Sequence, residues 1–503
     1  MAKSRDLYEL VHSLTTTERN FIGTLMETKG NKTHTRYHKH FLEIIKMKVF
    51  NEMVWKKKLS FGKSVKSMVW TNTYLYNYIL KALNFLKEES GEKPYVLGQL
   101  QRIDTLLERG LYDQAQQMVT ATKEYAKNQQ MFELCLEVIN TEFYILQLTG
   151  SSKDDIAYEE LSKEWKDVNE SATNLRAYRK LENESNALYS KHHSIRNKEI
   201  EDEYLAFANQ YLLQDYALAK TMRSKFIYLR TKLVLNSFLG NKEEAKYYSK
   251  LGIDFLNDFG EVLVNPMYSC GLLVRELELI ILHERWEDFD NTFQMYLQLE
   301  SRMYNKPYFT YWNSYRILLS LQYAYYTNNL NQVQLEIDRI DQPTFLAAFN
   351  THASIAMLAA YTIAKYYRKI GDHNTSLDYL NMIVDHQRLC RRDLLVAVKL
   401  LTLINHYECG DFAYLPYAIK STYRFLKKME YLYNGEKCLL QFLGKIIRMP
   451  LNNSLEPLFI NLLEELKNFK SDKYEQGFFY YFDYVNWIEA SLMRQNIGAK
   501  SND

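Results

Sequence analysis

Proline and glycine are scarce in this chain, at 7 and 17 of 503 residues. Strands, tight turns and long loops consume both, so their shortage argues against a β-rich fold and for long helices joined by short corners. Cysteine is thin as well. Cys135, Cys270, Cys390, Cys409 and Cys438 include no Cys-x-x-Cys pair, which suggests neither a zinc knuckle nor a redox motif and points to reduced thiols. No apolar run reaches the roughly 20 residues that a membrane-spanning helix needs. The stretch from Ala353 to Ala364 is short, and that from Leu394 to Ile404 is interrupted by Lys399. The first ten residues carry charge where a secretion signal would need its apolar segment, so a cytoplasmic protein without a membrane partner is expected. Neither sign of charge prevails, and the formal net charge is only +2.

What the chain does have is apolar and aromatic bulk: 47% hydrophobic residues and 41 tyrosines. That is enough to bury a core and excludes wholesale disorder. A length of 503 residues exceeds one compact core and suggests about three domains, a limit that a repeat array escapes. Seven phrases share one pattern: a turn residue, a bulky residue two on, and a small or apolar residue three further. They run from Gly110 to Ala115, Gln214 to Ala219, Gly240 to Ala245, Glu284 to Phe289, Asn328 to Val333, Gly371 to Ser376 and Gly410 to Leu415. Each lies between stretches of helical periodicity and so reads as the corner of a helical hairpin. From Gly240 onward the phrases start 44, 44, 43 and 39 residues apart.

The rest of the chain is organised around these phrases. Residues 1–92 form a basic helical region: a short helix from Ser4, a second begun by the capping box of Thr15 and Glu18, a loop from Gly30 to Thr35, a third helix to about Val49, and a fourth from Ser64 to Leu86. Residues 93–150 hold the first hairpins, opened by Pro94 in the first turn of a helix. Residues 151–203 are acidic, with little apolar periodicity, and read as a long, exposed helical hairpin or insertion. Residues 204–438 carry the regular repeats, and residues 439–503 are expected to be capping helices.

The phrase Gly110, Tyr112, Ala115, matched in part by Gly240 and Ala245, resembles the corner between the two helices of a tetratricopeptide repeat. The spacing of 39 to 44 exceeds that family's 34 residues, and Phe289, Val333 and Leu415 replace the small residue. The whole chain also resembles a group of uncharacterised bacterial helical-repeat proteins with a Lys-Ser-x-x-Leu opening and a Ser-Leu-Thr-x-x-Glu-Arg phrase, here Lys3-Ser4 with Leu7 and Ser13-Leu14-Thr15 with Glu18-Arg19. The tetratricopeptide resemblance implies an all-α, right-handed α-solenoid that plugs each corner with an aromatic residue, so Tyr112 and Trp286 are expected to be buried between paired helices.

No constellation carries chemistry. Gly62-Lys63-Ser64 lacks the earlier glycine of a phosphate loop, since position 57 is Lys57. His34 and His38 stand one turn apart beside His40, yet no carboxylate or cysteine completes a metal sphere. A solvated basic loop and helix start is the reading for them. From Lys29 to Lys66, eleven basic residues face only Glu43 and Glu52. Nucleic acid could be contacted there, with a helix-turn-helix reader, or the stretch could complement the acidic insertion. Lysine dominates it, which argues against reading of specific bases. The chain is therefore expected to be a non-catalytic protein- or peptide-binding scaffold or adaptor without cofactor or metal; the alternative is a DNA-binding regulator with a tetratricopeptide-like sensor. The partner-binding residues expected are Tyr308, Tyr311, Tyr315 and Tyr326, which share one helical face.

Overall fold

The structure, a computed structural model, describes residues 4–28, 32–59, 65–88, 91–150, 154–259, 266–303, 309–449 and 454–500. Among the described residues all regular structure is helical and no strand occurs. The chain divides into two compact units, residues 1–172 and 173–503.

The first unit opens with α1 (Ser4–Ser13), α2 (Thr16–Thr28), α3 (Lys32–Ile45), α4 (Glu52–Leu59) and α5 (Val65–Glu88). They close on one core that includes Leu7, Ile22, Phe41, Trp55 and Ile79. The capping box at α2 forms as expected: the Thr15 amide donates to the Glu18 carboxylate at 2.8 Å, and the Glu18 amide donates to Thr15 Oγ1 at 3.2 Å. Two expectations change. The loop from Gly30 to Thr35 is helical from Lys32 onward, because α3 starts a turn early, and α4 was not foreseen. Trp55 on α4 is fully buried, so tertiary burial overrides the helix's short length and its lysines. Next come α6 (Glu92–Glu108), α7 (Tyr112–Asn128) and α8 (Phe132–Thr149), packed in succession, and then α9 (Asp154–Lys191), within which the division falls.

The second unit continues through α10 (Lys198–Ala208), α11 (Met222–Leu239), α12 (Lys242–Phe259), α13 (Pro266–Leu282), α14 (Trp286–Ser301), α15 (Phe309–Tyr326), α16 (Leu330–Asp338), α17 (Gln342–Thr351), α18 (Ala353–Lys369), α19 (His373–Asp385), α20 (Arg392–Glu408), α21 (Leu415–Lys428), α22 (Asn434–Ile446), α23 (Glu456–Ser471), α24 (Gln476–Phe479) and α25 (Tyr484–Lys500). Consecutive helices pair as hairpins: α11 with α12, α13 with α14, α15 with α16, α18 with α19, α20 with α21 and α22 with α23. The first members also touch in series, α11 to α13, α13 to α15, α15 to α18 and α18 to α20. They form an inner layer against which the second members pack.

One backbone device makes the corners. Gly110, Gln130, Gly240, Glu284, Asn328, Gly371, Gly410 and Glu430 have φ between 52° and 87°, the left-handed region that ends a helix. At each, the amide of the following residue donates to the carbonyl five positions before it, as in Leu111 to Leu106 at 3.0 Å and Arg285 to Ile280 at 2.9 Å. This is the Schellman closure, and it satisfies carbonyls the helix end would otherwise orphan. Six of the seven phrases carry it. The Gln214 phrase does not: it forms two short 3-10 turns, 211–213 and 216–218, and Gln214 has φ −80°. The Gln130 and Glu430 corners lie outside the seven phrases.

The packing of the corners differs from the expected aromatic plug. Tyr112 and Trp286 are only half-buried, whereas Ala115, Ala245, Phe289, Val333, Ser376 and Leu415 are at most 2% exposed. Tyr112, Lys242, Trp286, Leu330 and His373 are each the first residue of their helix, at its open end. The residue three further on lies one turn inside, on the face that meets the partner helix.

Residues 151–203 also differ from the expectation. From Asp154 the acidic stretch is a single helix of 38 residues, α9, followed by a connector and the start of α10. It is not exposed throughout: Leu161, Val168, Ala172, Leu175, Tyr178 and Leu181 are buried at helical spacing. Three of these are spaced by seven and four, a pattern that dense acidic residues obscured.

Candidate functional site

The site is built on α15. Its 18 residues include Tyr311, Tyr315 and Tyr326, while Tyr308 lies outside the described residues. Helical spacing keeps Tyr311 and Tyr315 one turn apart, and their rings meet edge to face at 5.4 Å. Tyr311 also sets its edge against the His352 ring at 5.3 Å. Burial raises the hydroxyl pKa of both tyrosines, so both stay neutral donors at physiological pH.

Both rings open onto a cavity of about 720 Å³ inside the second unit, a volume within the roughly 300–1,000 Å³ of small-ligand sites. Four inner-layer helices contribute to its wall: Glu278 from α13, the two tyrosines from α15, Ser354 and Leu358 from α18, and Arg392 at the start of α20. The chain's own acidic segment completes it. Tyr189 from the end of α9 and His193 from the connector line the same space.

Tyr326 is not part of this cavity. It is 40% exposed, and its hydroxyl accepts a hydrogen bond from Lys365 Nζ at 2.8 Å. Lys365, 3% exposed on α18, lies over the rings of Tyr326, Tyr325 and Tyr361 at 4.5, 4.7 and 5.6 Å. Burial lowers its pKa to about 8. The four-tyrosine face therefore divides: Tyr311 and Tyr315 share a cavity, and Tyr326 solvates a buried ammonium.

Arg391 organises the cavity floor. It forms a forked pair with Asp393, Nε to Oδ1 at 3.2 Å and Nη2 to Oδ2 at 2.7 Å, and also donates to the hydroxyls of Tyr189 at 3.2 Å and Tyr481 at 2.8 Å. His193 Nε2 lies 3.9 Å from Asp393, its side chain is 10% exposed, and its Nδ1 is buried without a hydrogen-bond partner. Burial pushes the His193 pKa down to about 4, so the ring is neutral. Cys390 lines the cavity too, and burial raises its thiol to about 12, so it stays protonated at neutral pH.

The inner layer is largely covered by the chain itself. Arg196 in the connector, buried, donates to both oxygens of Glu436 at 3.0 and 2.9 Å and to Glu475 at 3.2 Å, and stacks over Tyr433 at 4.2 Å. Glu475 in turn accepts the first amides of α22, from Asn434 and Gly435, each at 3.1 Å. Gly477 allows the approach: a Cβ there would stand 2.8 Å from both Arg196 Cδ and Ser194 Oγ. Farther along, Tyr481 meets Tyr361 of α18 at 5.8 Å, Arg368 of α18 covers the Phe482 ring at 4.8 Å, and Trp487 donates to Glu408 of α20 at 3.0 Å.

Elsewhere the sequence candidates contribute little. His40 is fully buried beside Trp55, ring to ring at 6.1 Å, and not solvated as expected; His38 lies 3.7 Å from Glu27. No group of three metal-ligating side chains occurs among the described residues. Gly62-Lys63-Ser64 lies outside the described residues, as do the side chains of Lys56, Lys57 and Lys58. No helix of the described residues is long and apolar enough to cross a membrane. The residues missed were Tyr189, His193, Arg388, Arg391 and Arg392. The basic cluster Arg388-Leu389-Cys390-Arg391-Arg392 was the available signal. Comparison of the chain with protein-family models, with curated proteins and with solved structures gives no match.

Proposed function

We propose that this chain is a non-catalytic scaffold or adaptor that binds a protein or peptide segment, built on a right-handed, tetratricopeptide-like α-solenoid with elongated helices. The observation that carries this reading is the opening of Tyr311 and Tyr315 onto a cavity of about 720 Å³ walled by successive inner-layer helices. Rigid tyrosines bury much area at little entropic cost and are favoured as interface anchors. The chemistry of the lining suits binding rather than turnover: burial keeps the Cys390 thiol protonated and the His193 ring neutral, so neither is an activated nucleophile with its base. Because the chain's own segments cover much of the inner layer, the partner contact is confined to this opening and does not run the length of the array.

The test is to replace Tyr311 and Tyr315 by alanine separately, establish by circular dichroism that each variant folds, and compare partners recovered from native cells. Truncating an anchor costs at least about 2 kcal/mol of binding, so a partner of the parent chain should be lost while the fold survives. Retention of every partner by both folded variants would contradict the reading. Should both unfold, Tyr311→Phe and Tyr315→Phe, which keep the rings, give the same comparison with the hydroxyls alone removed.

A further inference from the structure

The charge left over in the cavity is of one sign. Glu278 is paired to Arg275 at 2.8 Å, Asp393 is paired to Arg391, and Lys191 is paired to Glu203 at 2.7 Å. Arg388 and Arg392 line the cavity as well, and neither forms an ion pair with the described residues. Two arginines thus line the space with no ion-pair partner among the described residues. The first turns of α18 and α20 also face it. Neither helix start has a side-chain cap, His352 and Arg391 occupying the cap positions without bonding a first-turn amide. The Ile355 amide donates to the His352 carbonyl at 3.0 Å; the remaining uncapped amides and the positive helix ends add to the same preference for an anion. The His193 ring, nine-tenths buried, also lines the cavity, and its Nδ1, enclosed by the surrounding side chains, has no hydrogen-bond partner. The remaining wall is aromatic and aliphatic: Tyr189, Tyr311, Tyr315 and Leu358.

We infer that the cavity takes an acidic peptide segment, with an Asp or Glu carboxylate held by Arg388, Arg392 and the first-turn amides of α18 and α20, and a neighbouring aromatic or aliphatic side chain laid against Tyr311 and Tyr315. This rests on the peptide-binding reading and narrows it to one ligand chemistry. Arginine's planar fork matches a carboxylate at two points, whereas an apolar or basic segment would leave both guanidinium groups unmatched. The site also discriminates by penalty: a neutral amide in place of the carboxylate desolvates the arginines without compensation.

An array of degenerate hexapeptides, each with one fixed residue, is probed with the full chain, and the best peptide is then measured by calorimetry beside its Asp→Asn or Glu→Gln counterpart. The expected result is selection for Asp or Glu next to an aromatic or aliphatic residue, and affinity lower by about tenfold or more for the amide counterpart and for the Arg388→Ala/Arg392→Ala chain. Both arginines are exposed, so that chain should keep its circular dichroism spectrum. Peptides bound equally well by the arginine variant, or without preference for acid, would overturn the acidic-ligand inference and leave peptide binding standing. Inorganic phosphate that displaces the peptide as effectively as unlabelled peptide does would show a bare anion site and overturn the peptide class. An array on which nothing binds would overturn both readings.

Discussion

Helices α7 and α18 are each 17 residues long, and each is one arm of a hairpin closed by a Schellman corner. Yet α7 buries four residues, Ala115, Val119, Thr122 and Ala126, while α18 buries eleven, including every position from Ala359 to Tyr366. The first set is one face of a helix. The second is almost a full circumference. The difference lies in what covers the helix from outside its own hairpin: α18 has α15, α17, α19 and α20 around it, and the segment holding Tyr481 and Phe482 besides. Hairpin formation is a local matter; enclosure comes from distant chain.

The largest effect that can separate these two levels is at Arg196. Removing it leaves Glu436 and Glu475 buried without their counter-charge, which should cost about 3 to 5 kcal/mol. In Arg196→Ala the second unit should melt earlier by calorimetry, and the first-unit helices α6 to α8 should keep their own transition. Coincident loss of both would merge the regions that the comparison keeps apart.

Lys365 gives a smaller and pH-dependent effect. Its folded pKa is about 8, against roughly 10.4 for an unfolded lysine. Between these values the unfolded chain binds a proton that the folded chain does not, so stability should rise with pH across that window. Below pH 8 the buried ammonium is a penalty of about 3 kcal/mol. Lys365→Met should accordingly be more stable than the parent at pH 7, with the gap closing toward pH 10. A methionine variant that is less stable at pH 7 would mean that the three tyrosine rings more than offset the burial.

The corners should give the smallest effect, and an equal one in both regions. Gly110 and Gly371 have φ of 71° and 87°, and a Cβ at either would meet nothing within 4 Å. Alanine at each should therefore cost about 1 kcal/mol from backbone conformation alone. Unequal costs in chemical denaturation would show that one corner carries packing that its open surroundings do not suggest.

The same division of levels explains what was legible in the sequence. Gly110, Gly240, Asn328, Gly371 and Gly410 announce a left-handed residue by their chemistry, and the buried residue five positions on follows from helical geometry. Gln130 obeys the same arithmetic, with Phe132 two on and the buried Cys135 five on, yet Gln130 is not a glycine or asparagine that would announce a left-handed residue by itself. The Gln214 phrase failed for the opposite reason: its spacing fits, while Asp215 caps a 3-10 turn through the Ala217 amide at 2.8 Å. Tyr311 and Tyr315 were legible as one helical face. Their separation from Tyr326 was not, because it depends on Lys365, 39 residues away. Least legible was Arg196, whose partners Glu436 and Glu475 lie 240 and 279 residues along the chain; no local pattern marks an arginine that closes a distant interface.

Hydrogen exchange on Arg196→Ala beside the parent tests most directly the claim that distant chain encloses hairpins which local corners form. In the parent, amides of α18 and α20 should exchange more slowly than those of α7. In the variant, protection should fall in residues 192–197, 434–446 and 472–488 and over α18 and α20, and stay unchanged over α6, α7 and α8. Equal protection of α7 and α18 in the parent, or a loss spread evenly over every helix of the variant, would contradict the account.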